Sequence, residues 1–160
     1  MTRTQDKVVI ERTYRALPEE LWELWTTKDG FESWWGPEGF RVEVYTLDAR
    51  AGGKLHYNMI AHAPEQVAAM RQLDRPPSHE VNARFGEVRP LERLAIINSI
   101  DFLPEVEPYE STILVEFFRT GASVRMVVTL EPMHDEMFTR MSKTGFTSQL
   151  AKLDRRFAAG

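Results

Sequence analysis

The chain has 160 residues, 42% hydrophobic and 28% charged, with a formal net charge of −4, values that describe one ordinary globular domain long enough to bury a core. The absence of cysteine excludes disulfides, thiol catalysis and zinc–thiolate sites. Charges of both signs are interspersed, with no basic stripe for nucleic acid and no apolar run near the ~20 residues of a membrane span, and Met1 to Asp6 lack the apolar core of a signal peptide, so the cytoplasm is the expected location.

Val8 to Tyr14 is β-rich and reads as a first strand. Pro18 opens a short helix at its favoured first position, with Leu21, Leu24 and Trp25 inward, ending near Asp29-Gly30. Phe31 to Trp35 reads as another short helical turn, stopped by Gly36-Pro37. Alternation around Phe40, Val42 and Val44 gives a second strand, and Lys54 to His62 a third after the Ala51-Gly52-Gly53 turn. Residues 63–79 interrupt the strands with a short helix from Pro64, ended by Arg75-Pro76-Pro77, readable as a flap or a plain surface connection. Four strands follow near 80–89, 94–103, 110–118 and 123–131, with turns at Pro90 to Arg93, Pro104 to Pro108 and Thr120-Gly121. From His134 to Gly160 the chain reads as one long helix, with Phe138, Met141, Phe146, Leu150, Leu153 and Phe157 at helical spacing. Asp135 and Glu136 in its first turn and Arg155 and Arg156 near its end suit the helix dipole.

Register then sorts the faces. Placing Phe118 opposite Ser123 pairs Phe117 with Val124, Val115 with Met126 and Ile113 with Val128, an apolar face toward the long helix. The other face pairs Glu116 with Arg125 and Thr112 with Thr129. In the preceding hairpin Val81 faces Phe102, Ala83 faces Ile100, Phe85 faces Asn98 and Glu87 faces Ile96. Leu55, Tyr57, Met59 and Ala61 share one face of the third strand. The inner wall is thus apolar, with Tyr57, Glu87 and Asn98 as its few polar groups. A small-molecule pocket has this composition, and so does a filled core with satisfied polar groups. Gly145, inside the last helix, fits either a close approach to the sheet or space left for a ligand.

Little in the chain suggests catalysis. His56, His62, His79 and His134 form no metal-ligand pair, so no metal site is expected. No Gly-x-Ser-x-Gly elbow is present, and Gly52-Gly53 lacks the sequel of a phosphate loop, so no cofactor is expected. Glu87, expected inside beside Tyr57 or Asn98, is the one candidate for a general acid or base.

Four segments in order carry a resemblance: Trp34-Trp35-Gly36-Pro37, Gly52 to Tyr57, Gly86 to Leu94, and Gly145-Phe146 with Leu150 and Leu153. From about Val8 to Phe157 the chain resembles the bacterial homologues of the activator of the ninety-kilodalton heat-shock protein ATPase. That family lies in the START-like, or SRPBCC, superfamily, with the pollen allergen Bet v and polyketide cyclases. The resemblance implies a single α+β domain of helix-grip, Bet v-like fold: a seven-stranded curved antiparallel sheet wrapped on a long C-terminal helix, with two short helices after the first strand. It also implies a hydrophobic cavity between helix and sheet. A ligand there would meet Trp34, Trp35, Tyr57, Met59, Phe85, Glu87, Asn98, Val115, Phe117, Met126, Met141, Gly145 and Phe146. Phe146 stands where many relatives have tryptophan, and the 63–79 insertion is longer than usual, so the cavity and its mouth should be differently shaped.

Three functions follow from this reading. The first is a carrier or sensor of a lipophilic or aromatic small molecule, favoured by the apolar wall and the scarcity of catalytic groups. The second is a cyclase-like enzyme using Glu87 with Tyr57 or Asn98. The third is a co-chaperone or stress-related protein. For this last role the chain shows no counterpart to the additional domain with which the eukaryotic activator engages the chaperone, so chaperone contact is not expected. A homodimer is compatible with the resemblance, since small sheet proteins of this family often pair.

Overall fold

The computed structural model describes residues 7–100 and 105–158. In chain order they form β1 (Val8–Tyr14), α1 (Pro18–Thr26), α2 (Lys28–Glu32), β2 (Phe40–Leu47), β3 (Lys54–Ala61), α3 (Pro64–Gln72), β4 (Ser78–Arg89), β5 (Arg93–Ile100), β6 (Tyr109–Thr120), β7 (Ser123–Leu130) and α4 (Glu136–Ala158). The strands make one antiparallel curved sheet, ordered β1-β7-β6-β5-β4-β3-β2, with α4 across its inner face in the helix-grip arrangement. The expected extension of the fifth strand to 103, with Phe102 opposite Val81, lies outside the described residues, as do part of the Pro104 to Pro108 turn and the helix end at Gly160.

Local chemistry sets the element ends. Pro18 occupies the first turn of α1, and the Glu20 carboxylate accepts the Leu17 backbone N–H at 2.9 Å. The Thr27 hydroxyl accepts the Gly30 N–H at 3.0 Å, so α2 starts at Lys28, before the expected Phe31 to Trp35 turn. Asp135 caps α4 by accepting the Phe138 N–H at 2.8 Å. α3 buries no residue, so the 63–79 segment lies on the surface.

Both hairpins differ from the expected register by two residues. Thr120 pairs with Ser123 across a two-residue loop whose first residue, Gly121, takes a φ of +62°. Such a left-handed first position is what a II′-type loop needs, and glycine adopts it without strain. Phe117 therefore faces Met126, Val115 faces Val128 and Ile113 faces Leu130. A shift of two keeps every side chain on its face, so Val115, Phe117, Val124, Met126 and Val128 are buried as expected. The expected Glu116–Arg125 pair does not form. Arg125 instead lies over the Phe118 ring at 4.5 Å and bonds Glu11 at 2.9 Å.

The β4–β5 hairpin keeps its face only as far as Phe85. Phe85 faces Ile96, but Val88 faces Leu94, so Gly86 and Glu87 together oppose Ala95 in a bulge. Glycine suits this place, because a Cβ on Gly86 would lie 3.1 Å from Ile97 Cδ1 and 3.3 Å from Ala95 Cβ. The extra residue swaps the faces, and Glu87 points outward.

α4 is gripped over one half only. Its four buried residues, Phe146, Gln149, Leu150 and Leu153, all lie from Phe146 onward. Phe146 closes an aromatic cluster in which Phe31 and Trp35 stack at 4.4 Å, and Trp25 meets Trp34 at 5.1 Å and Trp35 at 5.4 Å. Two of its indole N–H groups are paired, Trp34 Nε1 donating to Leu24 O at 2.8 Å and Trp35 Nε1 to the Tyr57 hydroxyl at 3.0 Å, while the buried Trp25 Nε1 has no partner among the described residues. Polar ties flank the cluster. Gly36 N donates to Gln149 Oε1 at 2.8 Å, Lys152 Nζ to Phe40 O at 3.0 Å, and the Tyr14 hydroxyl to Asp154 Oδ1 at 2.7 Å.

Truncating Phe146 to alanine should cost about 3–5 kcal/mol in a urea unfolding titration, because it empties the centre of this cluster. Gly145→Ala should do the opposite. A Cβ there would meet only Pro37 Cγ, at 3.9 Å, so the helix gains about 0.5–1 kcal/mol with no clash to offset it.

Alkaline pH should loosen the same cluster. Burial pushes the Tyr57 phenol from its ordinary 10.0 up to about 12, opposed by the bond from Trp35. A raised folded value stabilises the fold fully below pH 10 and loses that stabilisation as pH passes 12. Thermal unfolding followed across this window should show a steeper fall for the wild type than for Tyr57→Phe.

Candidate functional site

Where the aromatic cluster stops, a gap opens between α4 and the sheet. The first half of α4, up to Gly145, buries no side chain. Beneath it lies a half-open cleft of about 160 Å³, lined by β4, β5, β6 and β7 and roofed by Met133 and Ser142. Its apolar lining is Val81, Ile100, Ile113, Leu130 and Met133. Asn98 and Ser111, direct cross-strand partners on β5 and β6, put a polar pair in this floor. Ser111 is buried, at 7% exposed. Among the described residues, no protein hydrogen bond engages the side chains of Asn98, Ser99, Ser111 or Ser142, all of which line the cleft.

The charged groups sit at the rim. Glu131 Oε1 accepts the Thr112 N–H at 2.6 Å, and Glu131 N donates to Thr112 O at 3.1 Å, which fastens this carboxylate along the β6 backbone. His79 lines the rim on β4. Burial lowers its pKa, and the Arg75 charge lowers it further, so the neutral ring is favoured. At the head of α4, Tyr109 OH lies 3.0 Å from His134 Nδ1 and accepts the His134 N–H at 3.2 Å, tying that end of the helix to β6. Two larger and more open hollows lie elsewhere, about 310 Å³ beside α3 at Arg71 and Arg75, and about 460 Å³ between α1 and the end of α4. Neither has the sheet as its floor.

Of the residues expected around a ligand, only Asn98 lines this cleft. Trp34, Trp35, Tyr57, Phe85 and Phe146 are buried in the core, as are Val115, Phe117 and Met126, and Met59 packs against them. Glu87 is a correction, since its side chain is 47% exposed and forms an ion pair with Arg93 at 3.1 Å. The bulge at Gly86 put it there. Met141 is another, at 57% exposed. Stepping back by helical spacing from Phe146, Gln149 and Leu153 reaches position 142, so Ser142 faces the sheet and Met141 the solvent. Gly145 approaches Pro37 and not the sheet. Sequence reasoning missed Ser111 and Ser142. Both signals were present: Ser111 continues the inward alternation of Ile113, Val115 and Phe117, and Ser142 lies one turn before Phe146.

Among the described residues no group of three acidic or histidine side chains could hold a metal ion, and no helix is long and apolar enough to cross a membrane.

The comparisons agree with this architecture. A protein from Chromobacterium violaceum superposes with a TM-score of 0.75 at 18% identity, covering 96% of this chain and 98% of its own. An AHSA1 protein from Silicibacter pomeroyi gives 0.74 at 20% identity, covering 96% of this chain and 99% of its own. A Mycobacterium smegmatis protein gives 0.71 at 16% identity, with 99% and 98% covered. These likenesses concern the fold. No curated protein matches the sequence. The family profile described as Activator of Hsp90 ATPase homolog 1-like protein matches residues 15–158, and the chain belongs to that family, AHSA1.

Proposed function

We propose that this protein binds a lipophilic or aromatic small molecule in the cleft beneath the first half of α4, as a carrier or sensor without chemistry of its own. The observation that carries this reading is the cleft itself, an apolar floor with unspent polar groups where the helix stands off the sheet. Membership of a superfamily that often holds hydrophobic ligands supports it. The cyclase alternative needs Glu87 in the interior, and Glu87 lies on the outer face in an exposed ion pair.

The test is a titration of isotopically labelled protein with a panel of small lipophilic and aromatic compounds, read by amide shifts. Bound members should move the amides of residues 98, 111 and 113. Ser142→Trp, which fills the cleft from the helix side, should abolish those shifts, while Glu87→Gln leaves them unchanged and alters stability by less than ~1 kcal/mol. A panel in which no compound moves these amides would remove the proposal.

A further inference from the structure

Resting on the binding role above, we infer that the cleft selects a neutral molecule about the size of a single ring, whose hydroxyl or carbonyl meets Asn98 and Ser111.

Size comes first. The cleft, at about 160 Å³, is close to the volume of an engineered apolar cavity, about 150 Å³, that admits benzene. It is well below the roughly 300–1,000 Å³ of sites for drug-sized ligands. A long acyl chain would leave most of its length outside.

Charge comes second. Among the described residues no lysine or arginine lines the cleft, so an anionic head would be desolvated without a counter-ion. Glu131 at the rim would also repel it. A cationic head on the floor fares no better, because Glu131 is tied to the Thr112 backbone and the floor pair is uncharged. His79 favours its neutral form and offers an anion little.

Hydrogen bonding comes third. The Asn98 amide can donate and accept, and the Ser111 hydroxyl can do both. Neither side chain is engaged by the protein among the described residues. A ligand lacking a partner for them would displace water from the Ser111 hydroxyl without replacing its hydrogen bond, which disfavours purely hydrocarbon ligands.

The experiment compares ring compounds of one skeleton: 2-phenylethanol, phenylacetate, 2-phenylethylamine and ethylbenzene. Dodecanoate serves as the long-chain anion. Each is titrated into labelled wild type and into Ser111→Ala, and Asn98→Leu is added if it folds. The alcohol should bind at least ~10-fold tighter than the acid or the amine and at least ~3-fold tighter than ethylbenzene. Ser111→Ala should weaken the preference over ethylbenzene, with Asn98 left as the second partner, while leaving ethylbenzene binding in place. An acid or amine that equals the alcohol would overturn the inference, as would a preference for the alcohol that Ser111→Ala leaves undiminished. Should dodecanoate move the cleft amides while the alcohol does not, the neutral-head inference fails and the binding role stands. Should no compound move them, both fail.

Discussion

The aromatic cluster around Trp35 is the constraint from which the rest of the structure follows. It joins α1, α2, β3 and α4 in one packed unit, with Phe31 against Trp35 and Tyr57, and Trp35 against Phe146. Rings fill that volume, with Trp25, Phe31 and Trp34 almost wholly buried. The cluster also fixes the second half of α4, which Gln149, Lys152 and Asp154 then tie at three further points. The first half has no comparable hold. Beyond its capping residue, Tyr109 ties the head of the helix to β6 through His134. A helix anchored at one end over a curved sheet must leave a wedge at the other, and the cleft is that wedge.

This division of labour also separates the polar groups of the two ends. At the packed end Trp35 and Tyr57, Trp34 and the Leu24 carbonyl, and Tyr14 and Asp154 are paired with one another. At the open end the polar groups are a side-chain amide and hydroxyls, and the carboxylate at the rim is fastened to backbone. Such a lining can orient a ligand and distinguish polar from apolar, but it offers no activated nucleophile and no interior acid.

The fold was legible because it depends on alternation, and alternation survives an even error in register. Both hairpins were displaced by two residues, yet Val115, Phe117, Val124, Met126 and Val128 stayed inside. Family resemblance supplied the topology and periodicity supplied the faces. The site was less legible because it depends on single residues at phase changes. One bulge residue at Gly86 moved Glu87 from the interior to the surface. One position on α4 exchanged Met141, apolar but exposed, for Ser142, polar but facing the sheet. Hydrophobicity pointed to the wrong member of that pair, and the helical period pointed to the right one. Asn98 keeps its face because its partner Ala83 lies on the regular part of β4, ahead of the bulge.

Amide hydrogen exchange along α4 tests this account most directly. If the helix is held from Phe146 onward and stands off before it, amides in 146–156 should exchange only with global unfolding, while those in 139–144 should exchange roughly 100-fold faster or more through local opening. Uniform protection along the whole helix would contradict the one-sided grip, and with it the cleft beneath the free half.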